Sequence, residues 1–271
     1  MARGAGREAA TLVKDTIAAG GTGTVQGAIA LVGAGPGAAD LLTLRALRLL
    51  QEADIIYYDR LVDPGVLELA RRDAERVFVG KEVGASSWPQ DRINAVIVAA
   101  ARQGKKVVRL KSGDPGIFGR LTEELKAAHD AGIPVEIVPG VTAASGAAAS
   151  LGRGLTERGA TDRLMLATAA CKPGDPEPDW AEMLRPGTSL AIYMGVRQAA
   201  LIVESLRDAS VPMSLEVEIV SKASTPQEKV TRCNLGGLAK VMKDERVDNP
   251  AVILISWPKE TIAHVSSIAA A

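Results

Sequence analysis

From Gly27 onward, short β-branched runs alternate with longer stretches whose apolar positions recur at helical spacing, the pattern of βα units that build a mostly parallel sheet. The spacing predicts strands over 28–32, 54–58, 76–79, 106–110 and 135–138, and helices over 41–52, 64–71, 90–102 and 117–131. Pro89 stands at the first turn of the third helix, where a missing N–H removes no intrahelical bond. Near Pro139-Gly140 the rhythm changes. Small residues predict a helix over 142–150, an irregular stretch follows at 152–162, and strands are expected over 164–168, 189–194, 215–220, 229–233 and 251–257. With no helical pattern between 215–220 and 229–233, the second sheet should be mixed. The expected fold is therefore α/β in two domains, 25–139 and 140–260, with an N-terminal helix and linker over 1–24 and a tail over 261–271. The glycines around 20–23 read as a flexible linker, and the prefix as the remnant of a longer fused protein. Three prolines in 171–179 mark an exposed loop.

Composition narrows the function classes. The 32 basic and 32 acidic side chains cancel, so no global field recruits nucleic acid or an anionic membrane, and any anionic ligand must be held by a local cluster. Aromatic residues make up only 3%, too few for a base-stacking platform. Cys171 and Cys233 form no C-x-x-C unit, and His129 and His264 are the only histidines, so no metal site is expected. No apolar run reaches the length of a membrane helix and the first residues lack the apolar centre of a signal peptide, so a cytoplasmic protein with reduced thiols is expected.

The first predicted strand runs into Gly33-Ala34-Gly35-Pro36-Gly37-Ala38, a turn in which glycines let backbone approach a ligand closely. This satisfies the degenerate G-x-G-x-x-G/A pattern of dinucleotide binding, and Asp59 closes the second strand where a ribose-binding acid would sit. A nicotinamide-binding domain is thus one candidate. Pro36 counts against it, because it removes an amide N–H from a loop that would donate such bonds to pyrophosphate. A ligand without phosphate loses little by that.

A second loop follows the strand over 106–110: Lys111-Ser112-Gly113-Asp114-Pro115-Gly116-Ile117-Phe118-Gly119-Arg120. Together with Val32–Gly37, Tyr58-Asp59-Arg60-Leu61-Val62, Val79-Gly80-Lys81, Pro139–Ala143 and Tyr193-Met194-Gly195, it resembles the tetrapyrrole methylase family over about residues 27–257. The resemblance implies a cleft between two α/β domains, usually in a homodimer, that binds S-adenosylmethionine and a tetrapyrrole, with uroporphyrinogen III the favoured acceptor. It puts Pro36, Ser112, Gly113, Asp114, Ile117, Thr142, Ala143, Met194 and Ala223 on cofactor-contacting positions. Backbone groups around Gly113 and Asp114 would bind the amino-acid part or ribose, and the thioether of Met194 would pack on adenine. Asp59 and Lys81 match the family's proton acceptor and proton donor, and Arg120, Glu123 and Arg158 match positions that contact the acceptor. Arg120 is also a catalytic candidate, since arginine forks suit the eight carboxylates of the acceptor. Arg60 and Arg153 could join that cluster. The two glycine-bearing turns, 33–37 and 112–116, are expected to face each other across the gap between domains.

Some positions depart from the family form. Ser112 stands where glycine is common, Ser86 and Glu157 replace histidines, Ala169-Ala170 replace Gly-His, and Ala223 replaces a glycine beside the cofactor. Glu157 would set a negative charge near an acidic acceptor unless it pairs with Arg158 or points away. These departures leave open a changed acceptor or a catalytically silent binding module.

Overall fold

The computed structural model describes residues 27–80, 88–170, 174 and 178–259. The expected helix and linker over 1–24, the tail, and most of the loop over 171–179 lie outside the described residues.

The first sheet holds β1 (Ala28–Gly33), β2 (Ile55–Tyr58), β3 (Glu75–Phe78), β4 (Lys106–Lys111) and β5 (Val135–Val138), in the order β3-β2-β4-β1-β5. Every pairing in it is parallel. A parallel strand covered on both faces needs apolar side chains at odd and even positions alike, and β1 meets that demand. Ala30 and Val32 pack with Ala46 and Leu50 of α1 (Leu44–Glu52), while Ile29 and Leu31 pack on the opposite face with Ile93 and Ile97 of α3 (Gln90–Arg102).

Three helices of this half are shorter than their apolar periodicity suggests, the first of them only by its opening residues 41–43. The helix expected over 64–71 is the single turn α2 (Pro64–Leu67), capped by Asp63 Oδ1 on the Gly65 N–H; beyond it Arg71 turns back to bond Asp54 at 2.8 Å. The helix expected over 117–131 begins only at Leu121 and runs as α4 (Leu121–Asp130). Phe118 and Arg120 take φ of 53° and 56°, and left-handed residues cannot continue a right-handed helix.

The second sheet, β6 (Arg163–Thr168), β7 (Thr188–Tyr193), β8 (Glu216–Ser221), β9 (Lys229–Asn234) and β10 (Ala251–Trp257), runs in the order β6-β7-β10-β8-β9. Only β6 and β7 pair in parallel, so the sheet is mixed. One face takes α5 (Ala143–Ser150), whose Ala144 and Ala147 let its backbone lie close to Ala191, Val220 and Val252. The other face is covered by α7 (Ala199–Asp208) and α8 (Leu238–Asp244), neither of them among the expected elements, through Ile202, Leu206 and Leu238 against Leu190, Ile192 and Ile253. The short α6 (Trp180–Met183) adds the buried Trp180.

Candidate active site

A cavity of about 450 Å³ lies where the C-terminal ends of β1, β2 and β4 meet the second sheet. Its walls come from both halves. Pro36 after β1, Arg60 and Leu61 after β2, and Ser112, Gly113, Asp114 and Ile117 after β4 form one side. Thr142 and Ala143 at the start of α5, Met194 after β7 and Ala223 after β8 form the other. All nine positions that the family resemblance marks for the cofactor therefore line a single cavity.

The two glycine turns do not face each other across the gap. They sit side by side on adjacent strands β1 and β4, joined by Gly35 N–H to Gly113 O at 3.2 Å and Gly113 N–H to Gly35 O at 2.7 Å. Parallel neighbours end at the same sheet edge, which is why both turns belong to one wall. The contact is close because side chains are missing: a Cβ on Gly33 would lie 2.6 Å from Gly113 O and Gly140 N, and one on Gly140 would overlap Gly113 O. The Gly113 N–H is thus committed to Gly35. The Asp114 carboxylate is engaged as well, accepting from Gly116 N–H at 2.7 Å and Gly140 N–H at 3.0 Å. Its part is to hold its own loop to the segment around Gly140.

On the opposite wall the Tyr193 hydroxyl accepts from Ala144 N–H at 3.0 Å and bonds Thr142 Oγ1 at 2.7 Å, fixing the first turn of α5. Its ring packs on Phe118 at 5.1 Å between centroids. Met194 takes φ of 57°, a conformation costing of order 1–2 kcal/mol for such a residue, and its side chain stands 47% exposed at the cavity mouth. Phe118 and Leu61 are similarly exposed apolar groups beside it. Lys222 and Ser224, both left-handed, flank Ala223 and turn it inward. Ser224 Oγ accepts from Ala38 N–H at 3.2 Å, so this loop closes directly on the first glycine turn.

The remaining sequence candidates are dispersed. Asp59 ends β2, one residue before the cavity wall, and its Oδ1 accepts from Arg109 Nη2 at 2.6 Å. It is not the ribose acid of a dinucleotide fold: β4 lies between β1 and β2, so Asp59 is two strand spacings, roughly 10 Å, from the first turn's strand. Arg120 stands just before α4 and grips Glu123 with two bonds, 2.8 and 2.6 Å, outside the cavity wall. Arg158 is exposed and also outside it. Glu157 belongs to a separate cavity of about 400 Å³ with Arg153 and Glu218, which takes its charge away from the first cavity. Lys81 and Ser86 lie outside the described residues.

Several features escaped the sequence. Arg197 and the start of β10 at Ala251 and Val252 line the cavity, and a buried charge array runs beneath its edge. In that array Glu124 of α4, fully buried, accepts from Arg109 Nε at 2.9 Å and Lys111 Nζ at 2.7 Å. Burial, and next the Arg109 charge, push the Lys111 ammonium below its ordinary pKa despite Glu124. The signal was present: arginine in the apolar run Val107-Val108-Arg109-Leu110 is a charge in a core strand.

Two α/β layers that share one ligand-sized cavity, built from strand-end turns and a helix start, define a two-sheet α/β protein with a small-molecule site. The model of the tetrapyrrole (corrin/porphyrin) methylases matches residues 28–239, and the chain belongs to that family. The siroheme synthase of Pseudomonas aeruginosa (strain UCBPP-PA14) is 43% identical over 252 residues, 92% of this chain and 53% of that protein. That of Zymomonas mobilis is 47% identical over 230 residues, covering 85% of this chain and 48% of its own length. The chain thus spans about half the length of the curated relatives it matches. Among solved structures, the uroporphyrin-III C-methyltransferase of Thermus thermophilus complexed with S-adenyl homocysteine superposes with a TM-score of 0.73 at 38% identity, covering 85% of this chain and 97% of that one. A cobalt precorrin-4 methyltransferase reaches 0.75 at 27% identity, covering 84% and 94%.

Proposed function

We propose that this protein transfers methyl groups from S-adenosylmethionine to ring carbons of uroporphyrinogen III, twice in succession, giving precorrin-2 on the way to sirohaem- and cobalamin-type tetrapyrroles. The observation that carries this is the gathering of Pro36, Ser112, Gly113, Asp114, Ile117, Thr142, Ala143, Met194 and Ala223 around one cavity of nucleoside size. The cavity suits a sulfonium nucleoside better than a dinucleotide. Pro36 has no N–H to give, the Gly113 N–H is used by Gly35, and no acid follows on the strand beside β1 in the order a dinucleotide fold requires.

The cofactor supplies an electrophilic methyl on a positively charged sulfur. Met194, Pro36 and Ala223 would pack its apolar parts, with the Ser112 and Thr142 hydroxyls near its polar ones. As a ring carbon is methylated, positive charge passes into the tetrapyrrole and a carbon-bound proton must then leave. Asp59 is our proton acceptor and Lys81 our proton donor; proton transfer to a positioned group contributes about 10²–10⁴-fold. The exposed apolar residues Leu61, Phe118 and Met194 would take the flat face of the acceptor, and Arg120 with Glu123, Arg60, Arg197 and Arg158 its carboxylate arms. The proposal includes a cytoplasmic homodimer whose protomer divides near residue 139 into two domains, one per sheet.

The test is anaerobic incubation of the pure protein with enzymatically generated uroporphyrinogen III and methyl-labelled S-adenosylmethionine. Two labels per tetrapyrrole are expected. Tight binding of S-adenosylhomocysteine with no label transferred would make it a binding module, and transfer only to a later corrinoid precursor would change the acceptor.

A further inference from the structure

The charge array beneath the cavity edge is costly to build. Arg109, Lys111 and Glu124 have side chains only 3%, 5% and 0% exposed, and ionised groups at that depth are often replaceable by apolar residues without loss of stability. An array of this kind is better understood by what it holds. Every polar arm of Arg109 is engaged: Nε on Glu124 Oε1 at 2.9 Å, Nη1 on the Leu110 carbonyl at 3.1 Å, and Nη2 on Asp59 Oδ1 at 2.6 Å. Glu124 in turn is fixed by Lys111 Nζ at 2.7 Å and by Gln90 Nε2 of α3 at 3.3 Å. The guanidinium is therefore a rigid strut from the inner face of α4, past the Tyr57 carbonyl of β2, to the one carboxylate of the array that reaches the surface, Asp59 at 31% exposure.

We propose that Arg109 is a positioning residue for the methyl-transfer reaction: its guanidinium, locked by Glu124, fixes the rotamer of Asp59 so that the carboxylate stands ready to accept the ring proton. The inference rests on the proton-acceptor role of Asp59 given above. The groups that face the pair from the packed elements are Glu124 of α4, Lys111 of β4, and the neutral Gln90 and Asn94 of α3; Arg60 follows Asp59 in the chain. Since Lys111 is occupied by Glu124, Arg109 is the cation that holds Asp59 in place.

The experiment compares R109M, R109K and D59N in the full chain, each first checked for a cooperative melt, by kcat and KM for each substrate. R109M is expected to lower kcat about tenfold or more, with KM for S-adenosylmethionine within about twofold. R109K keeps the charge without the fork and should not restore kcat. Were R109M not to fold, R109K decides: a tenfold fall in kcat that disappears in the D59N background supports the strut. An equal fall in both backgrounds, or a kcat for R109M within about twofold of wild type, overturns it. Wild-type turnover in D59N would instead overturn the role of Asp59, whatever the arginine variants do.

Discussion

At the scale of single residues, the site depends on where a side chain is missing as much as on where one is present. Gly113 has φ of +68° and a Cβ there would make only an ordinary contact with the Ala143 backbone nitrogen at 3.9 Å, whereas a Cβ on Gly140 meets the Gly113 carbonyl itself. Gly113→Ala should therefore cost only the left-handed strain, about 1 kcal/mol, with S-adenosylhomocysteine affinity nearly kept. Gly140→Ala should part the turns and weaken that affinity more than tenfold; urea unfolding and calorimetry on both variants check the contrast. Arg120 presents the opposite case of an exposed side chain whose partner, Glu123, is one turn away. Surface pairs of this type contribute about 0–1 kcal/mol, so Arg120→Ala should leave stability and cofactor binding almost unchanged while raising KM for the tetrapyrrole at least tenfold. Equal loss for both ligands would make the residue structural. The cavity-lining positions were legible because they lie in short contiguous motifs, Ser112–Asp114 and Thr142-Ala143 among them. What those motifs did not carry was which amides the protein uses for itself, as Gly113 and Asp114 illustrate.

At the scale of elements, β4 and α4 form the hinge of the account. Their buried ions are balanced as two cations against Glu124 and Asp59, and Glu124→Gln would leave Arg109 and Lys111 close together without the charge between them. A loss of about 3–5 kcal/mol is expected, measurable by urea denaturation. Lys111 also predicts a pH dependence. Its folded pKa is depressed, first by burial and then by Arg109, so between that value and the ordinary lysine range the unfolded chain binds more protons than the folded one. Stability should accordingly rise with pH through that window, and Lys111→Met should flatten the rise. The strands and most helices of the first half were readable from periodicity. The start of α4 was not, because apolar residues at 117 and 118 continue a helical pattern that the left-handed backbone at Phe118 and Arg120 breaks. In the second half, α7 does carry Ala199, Ile202, Val203 and Leu206 at helical spacing, a signal available in the sequence between two strong strands.

At the scale of the whole molecule, strand order decides between chemistries. Two parallel sheets with the same local motifs differ once β4 inserts between β1 and β2, and no local pattern announces that choice, since parallel neighbours are joined by crossovers of any partner order. It separates Asp59 from the first glycine turn and gives it to Arg109 instead. The cavity between the two sheets then predicts a ligand that binds only the folded chain. At a hundredfold excess over its dissociation constant, S-adenosylhomocysteine should stabilise the protein by about 2.7 kcal/mol, a rise of several degrees in melting temperature, and NAD should give none. The most direct measurement is a crystal structure of the protein soaked with S-adenosylhomocysteine. The account predicts the nucleoside in the cavity between Pro36, Gly113, Thr142, Met194 and Ala223, with its sulfur turned toward the side of Arg60 and Leu61. Density for the ligand elsewhere, or an empty cavity at saturating concentration, would contradict it.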